Sequence, residues 1–185
     1  MSLQLKHYLM GGPIVRHFIL DASEVIGVGY AAEMRNGNVE LGSTIADAAL
    51  CGVVQGFTDR FGLPYESSTA TRGSSTFTGT GDSLVVTVAS TNETVDMIKA
   101  IIEMSPYAVY SATVTGTMNT TNASSKAGGW IDMDDSDSVE ETTMTRTITV
   151  GGQLNNWGED PEDTTRMLVS IHEHEFFNNN GVAAA

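Results

Sequence analysis

Apolar residues in this chain come in short runs separated by Gly, Asn, Ser and Thr, and most of those runs alternate with polar positions instead of repeating at helical spacing. Phe18-Ile19-Leu20, residues 84–89 and the Thr-rich stretch 142–150 follow this pattern, which suits strands with one buried face. Between two such runs stands Asn36-Gly37, a dipeptide that tolerates the positive φ of a two-residue hairpin turn, so residues 30–35 are expected to pair with 38–41. Ser43-Thr-Ile-Ala-Asp47 offers caps for one helical turn holding residues 46–50, after which Gly52-Val-Val-Gln-Gly-Phe-Thr58 returns as a strand. Residues 1–66 then have the plan of an N-terminal arm and a small β-barrel.

A run of Ser, Thr and Gly over 67–82 carries too few apolar residues to pack and is expected to be a linker or an exposed arm. Beyond it, residues 83–185 form a β-rich part with one substantial helix. Ser90 with Glu93 three positions later makes a capping-box start, Val95, Ile98, Ile101 and Ile102 share one helical face, and Pro106 stops the run, which predicts a helix over 91–104. Strands are expected at 107–117, 129–133, 142–150 and 166–172, with an acidic run at 132–141, a Gly-Asn loop after 150, and an extended tail from Asn178. The expected fold is thus mainly β with one helix: a small N-terminal barrel and a larger antiparallel C-terminal part.

Composition narrows the function. Twenty-three acids face nine Lys and Arg in 185 residues, a formal charge of −14, and the bases are spread singly along the sequence. Nucleic acid demands clustered cations to neutralise phosphates, so it is not an expected partner. The first residues lack a basic segment followed by a long apolar one, and no apolar run reaches the roughly 20 residues of a membrane span, so a soluble protein made in a cytoplasm is expected. The single cysteine, Cys51, lies in an apolar stretch and reads as a small buried residue.

Candidate chemistry is sparse. Set against a calcium loop beginning at Asp132, the sixth position is Asp137 where Gly belongs and the twelfth is Thr143 where Glu belongs, so the acidic run from Asp132 to Glu141 reads as a solvated turn between strands. His172 and His174 fall on one face of a strand with Glu173 and Glu175 on the other; the pair lacks an identifiable third ligand and reads as the wet end of that strand. There is no dinucleotide or phosphate-loop glycine pattern, no Gly-x-Ser-x-Gly elbow, and the glycosylation triplets at Asn92, Asn119 and Asn122 lack a secretory context. No catalytic, cofactor-binding or metal residue is assigned, and no enzyme is expected.

With these residues in view, the chain resembles the capsid decoration, or cement, proteins of tailed bacteriophages. The likeness is carried by Phe18-Ile-Leu-Asp-Ala, Val28-Gly-Tyr, Asn36-Gly-Asn and Gly52-Val-Val-Gln-Gly-Phe57, short strands joined by Gly-centred turns. It continues through Gly81-Asp-Ser-Leu-Val-Val-Thr-Val, Ala108-Val-Tyr-Ser-Ala, the Trp130-Ile-Asp strand and the stretch from Gly158 to Ile171. The resemblance implies a non-enzymatic virion protein that binds the outer capsid surface, bridges neighbouring major capsid subunits and works as a homo-oligomer, often a trimer. Segments 1–13, 66–82 and 178–185 are the arms such a protein would use. Two other classes fit the same pattern: a head–tail or tail-tube protein whose strands join a sheet between subunits, and an acidic cation- or carbohydrate-binding β-domain.

Overall fold

The computed structural model describes residues 3–42, 50–65, 71–72, 74–115, 127–135, 137–140 and 153–171. In chain order its strands are β1 (Gln4–Tyr8), β2 (Val15–Ile19), β3 (Val25–Gly27), β4 (Ala31–Arg35), β5 (Asn38–Leu41), β6 (Gly52–Thr58), β7 (Thr71–Arg72) and β8 (Ser75–Thr78). They continue with β9 (Val85–Thr87), β10 (Lys99–Glu103), β11 (Ala108–Thr115), β12 (Trp130–Ile131), β13 (Met133–Asp135), β14 (Ser138–Glu140), β15 (Leu154–Asp160) and β16 (Asp163–Ile171). The protein is mainly β, and among the described residues the only helical element is a 3-10 turn at Gly81–Ser83.

The strands form three sheets. One has the order β2-β10-β6-β4-β5 and almost closes on itself, because Leu20 at the end of β2 bridges Val39 of β5 and the Asp21 N–H donates to the Val39 carbonyl at 2.7 Å. The seven-stranded sheet runs β12-β15-β16-β11-β14-β13 with β1 alongside β11. Its two end strands are consecutive in the chain, so the segment 130–135 meets β15 through Trp130 and Ile131 and meets β14 through Met133 and Asp135. Gln153 ties the bend, its N–H donating to Asp132 Oδ1 at 3.2 Å while its Oε1 accepts from the Met133 N–H. The third sheet, β3-β9-β8-β7, covers the first.

Two apolar cores follow. Tyr110, Ala112, Ile131, Leu154, Met167 and Val169 fill the inside of the seven-stranded sheet, together with Leu3 and Val53. Leu20, Val54, Phe57, Phe77, Val86 and Ile102 fill the space between the other two. Strand pairing crosses the expected boundaries at 66 and 83: β1 joins β11, β2 and β6 flank β10, and β3 pairs with β9.

The expected helix over 91–104 is not there. Residues 98–103 carry two patterns at once, and burial selects the strand one: Ile98, Ala100 and Ile102 point inward and are fully buried, whereas Val95, which a helix would have buried with them, is exposed. A tight turn ends in Met97 at φ 48°, and Asn92 holds it shut. A helix here would strip β2 and β6 of their common neighbour, so long-range pairing overrides local spacing.

The 67–82 segment also departs from expectation. Ser75–Thr78 is the strand β8, and Phe77 within it is buried, stacking on Tyr65 with centroids 4.3 Å apart and meeting Phe57 edge-on at 6.0 Å. One well-placed aromatic contributes about 1.5–3 kcal/mol of burial, enough to anchor a polar strand. Likewise the first residues are not a loose arm throughout: β1 pairs with β11, and Lys6 reaches Asp160 at 3.2 Å and Glu162 at 2.8 Å. The stretch after residue 152, expected as a loop, is the strand β15. The hairpin β4–β5 stands where Asn36-Gly37 placed it, with φ of 51° and 88° at the two turn residues. The helical turn expected at 43–50 falls almost entirely outside the described residues, as does the strand at 142–150.

Candidate docking surface

The residues that sequence chemistry pointed to are not gathered into one site. Residues 132–135 and 137–140 are mostly the hairpin β13–β14, where Asp132 serves the Gln153 clasp and Asp134 accepts from Thr115 Oγ1 at 2.6 Å. Burial first, then the neighbouring Asp135, raises the Asp137 carboxyl above the usual range. Among the described residues no three His, Cys, Asp or Glu side chains converge in a way that could hold a metal ion. His172 and His174 lie outside the described residues. Cys51 is fully buried in the core of the five-stranded sheet. Asn92 is fully buried too, its amide consumed by the backbone of Leu20 and Ile98, so its triplet is a structural device.

What the molecule presents instead is apolar side chains held outside by locked backbone. The clearest case follows β6. Asp59 is buried, and its Oδ1 accepts from the N–H groups of Phe61 and Leu63 at 2.8 and 2.9 Å. The Asp59 N–H donates back to the Leu63 carbonyl at 2.9 Å, and Gly62 supplies the left-handed φ of 88° that the reversal requires. Thr58 and Pro64 bridge beneath the turn, and the Tyr65 N–H donates to the Phe57 carbonyl at 3.0 Å. The turn therefore holds Phe61 at 74% and Leu63 at 63% exposure, with the Arg60 guanidinium 4.6 Å over the Phe61 ring. Lys99 joins from β10, donating to the Arg60 carbonyl at 3.4 Å. Two bases far apart in sequence thus share one corner of an acidic protein.

A second exposed anchor is Trp157. The ladder between β15 and β16 slips between Asn156 and Gly158, leaving Trp157 on a bulge, and bulges re-aim side chains. Asn156 Oδ1 accepts the Gly158 N–H at 2.8 Å, Gly158 adopts φ 106°, and the Trp157 indole N–H donates to Ser170 Oγ at 2.9 Å. The indole is 45% exposed but pinned. A third group is Leu9 and Met10 beside Tyr107, the Leu9 N–H donating to the Tyr107 carbonyl at 2.8 Å. Beneath it lies Glu103, almost wholly buried, whose carboxylate accepts from Tyr8 Oη at 2.7 Å and from the N–H groups of Ile14 and Ser105 at 3.0 and 2.8 Å.

Two features complete the surface. Strand β2 is an edge: Ile14 and Leu20 bond toward β10, so by alternation Val15, His17 and Ile19 turn their backbone groups away from it, and Val15, Arg16 and His17 are all exposed. A cleft of about 350 Å³ opens where β1 meets the β3–β4 turn, lined by Leu3, Leu5, Val28, Val54, Gln55 and Asp82; Leu3 and Val54 are buried, so the surface it presents is mainly polar. Sequence reading missed the Phe61 turn, although Asp59 followed three residues later by Gly62 is a legible turn signal. Compared with protein-family models, curated proteins and solved structures, the chain matches none.

Proposed function

We propose that this chain is a non-enzymatic structural protein of a virion, one that binds the outer surface of a capsid and cements neighbouring major capsid subunits as a homo-oligomer, with a trimer favoured. It would be made in the host cytoplasm and end on the capsid surface. The observation that carries the reading is the Asp59 turn, which spends a buried carboxylate on keeping Phe61 and Leu63 in solvent. Pre-ordered aromatic anchors lose little entropy on docking and recur as hot spots of protein interfaces. The Trp157 bulge and the Leu9–Met10 group add two more anchors of the same kind. The resemblance set out above and a mainly β scaffold with a nearly closed sheet support it further. Binding only the assembled lattice stabilises that lattice by mass action, and several modest contacts per oligomer supply avidity.

The open edge of β2 favours a second reading, a head–tail or tail-tube protein whose strands pair between subunits. Light scattering on the purified protein, alone and after mixing with expanded capsids lacking accessory proteins, separates them. A small oligomer that cosediments with capsids and raises their disruption temperature is expected. Rings or tubes formed without capsids would transfer the assignment to the tail class, and a protein that ignores both would overturn each reading.

A further inference from the structure

We infer that the open edge of β2 takes an extended acidic segment of a partner protein as an added strand. The inference rests on the capsid-binding reading above and names what the capsid side presents, and its first test needs no capsid, so the two can fail separately.

Geometry leaves the edge open. The Met104 N–H donates to the Ile14 carbonyl at 2.8 Å and the Leu20 N–H to the Ile98 carbonyl at 3.0 Å. Even-numbered residues of β2 therefore face β10, and the N–H and carbonyl groups of Val15 and His17 point the other way. Leu20 bridges Val39 in parallel, but β5 begins at Asn38 and its turn leads away to β4. Stepping back from that bridge, β5 runs out beside Ile19, and no other described strand lies along Val15–His17. A row of backbone donors and acceptors at strand spacing is matched by another strand. The five residues of β2 span roughly 16 Å, room for one short extended segment.

Charge selects the segment. Strands β2 and β10 carry one acid between them, Glu103, which is 1% exposed and already bound to Tyr8 and to two backbone N–H groups. Arg16 and His17 are exposed on the edge, Lys99 lies across the ladder from Ile19, and Arg60 is held against Lys99. Three of the chain's nine Lys and Arg thus gather on one side of a protein of formal charge −14. The next acid along the chain, Asp21, accepts from the Ala22 N–H at 2.7 Å. A second copy of β2 is a poor match, because two such edges would bring Arg16 near its twin, and like charges facing across a ladder destabilise it. The Arg16 guanidinium donates to its own Val15 carbonyl at 3.1 Å, which guards the edge until a carboxylate draws it off. An acidic strand meets both demands, with backbone for backbone and carboxylate for cation.

The test titrates the full chain with a labelled seven-residue peptide of alternating Val and Glu, read by fluorescence polarisation at low salt. A dissociation constant below about 100 µM is expected, with the amide signals of Val15 and His17 moving as peptide is added. The matching Val–Lys peptide, and a Val–Glu peptide N-methylated throughout so that its backbone cannot donate, should each bind at least about tenfold more weakly. His17→Pro removes only an outward N–H, and Arg16→Glu reverses the charge of the edge. Both side chains are exposed, so unchanged circular dichroism is expected while each variant weakens peptide binding at least about tenfold. Equal binding of the Val–Glu and Val–Lys peptides, indifference of both variants, or no binding at all would overturn the inference. So would self-association of the peptide-free protein that His17→Pro dissolves, since the edge would then belong to a second copy. Expanded capsids lacking accessory proteins separate the remaining cases. If they bind both variants as well as wild type, the inference falls and the reading above stands; if the peptide binds and the capsids do not, that reading falls and the preference of the edge for an acidic strand stands.

Discussion

Asn92 pairs with Ile98 as a neighbouring strand would: its Oδ1 accepts the Ile98 N–H at 2.9 Å, and its Nδ2 donates to the carbonyls of Ile98 at 3.3 Å and Leu20 at 2.8 Å. One side chain thereby closes the turn that precedes β10 and ties it to the end of β2. Replacing it leaves buried backbone groups unpaired, so Asn92→Ala is expected to cost about 2–4 kcal/mol, read as a lower urea midpoint at unchanged slope. A loss below about 0.5 kcal/mol, the range of an ordinary surface substitution, would show that the turn holds without it.

Tyr8 gives the protein an alkaline limit. Burial first, and then its bond to Glu103, push the Tyr8 hydroxyl up to about 12 from an ordinary value of 10.0, so the folded state holds the neutral phenol. The associated stability is complete below pH 10 and is lost as pH rises from there toward 12. Tyr110, raised by burial and then by Glu103, acts in the same direction. Urea midpoints measured from pH 8 upward should fall above about pH 10, and Tyr8→Phe should make that fall shallower. Identical profiles for the two proteins would refute the linkage.

Gly52 is where two strands touch too closely for a side chain. A Cβ there would collide with the Glu103 carbonyl oxygen and lie 2.6 Å from Ile102 Cγ2. Both belong to β10, which cannot move without opening the five-stranded sheet. Gly52→Ala is expected to lower stability by about 1–3 kcal/mol, visible as a depressed melting temperature. Gly37→Ala, where nothing lies within 4 Å but φ is 88°, isolates the cost of backbone conformation alone and is expected to be the milder change.

Asp59→Ala releases the turn without touching Phe61 or Leu63. Amide exchange at those two residues should accelerate at least about tenfold, the equivalent of about 1.4 kcal/mol of lost local protection. Capsid binding through the tip should weaken with it, since a loosened anchor must be reordered on docking. Unaltered exchange would mean that the Thr58–Pro64 bridge suffices to hold the tip.

Local chemistry in the sequence revealed what local chemistry decides. Asn36-Gly37 set a turn that two residues can specify, and the short, Gly-punctuated run Gly52-Val-Val-Gln-Gly-Phe-Thr58 named its own strand. Where two periods overlap, as over 98–103, only the partner strands break the tie, and those lie more than forty residues away in β2 and β6. Ser75–Thr78 looked too polar to pack because its burial depends on Phe77 meeting Phe57 and Tyr65. The docking surface was hidden for a related reason. A Phe in sequence is apolar whether it points in or out, and its exposure here depends on what Asp59 does with its carboxylate.

The place of β10 between β2 and β6 also sets an order of events in time. While the chain is being made, strands 15–19 and 52–58 emerge well before 99–103, and without that strand the first has no ladder along its length. More than half of the polypeptide is therefore made before the strand that joins β2 to β6 has left the ribosome, and the apolar faces that pack against it stay uncovered until then. A chain cut short at residue 66 would inherit that exposure permanently, and chaperone capture or precipitation would be its fate.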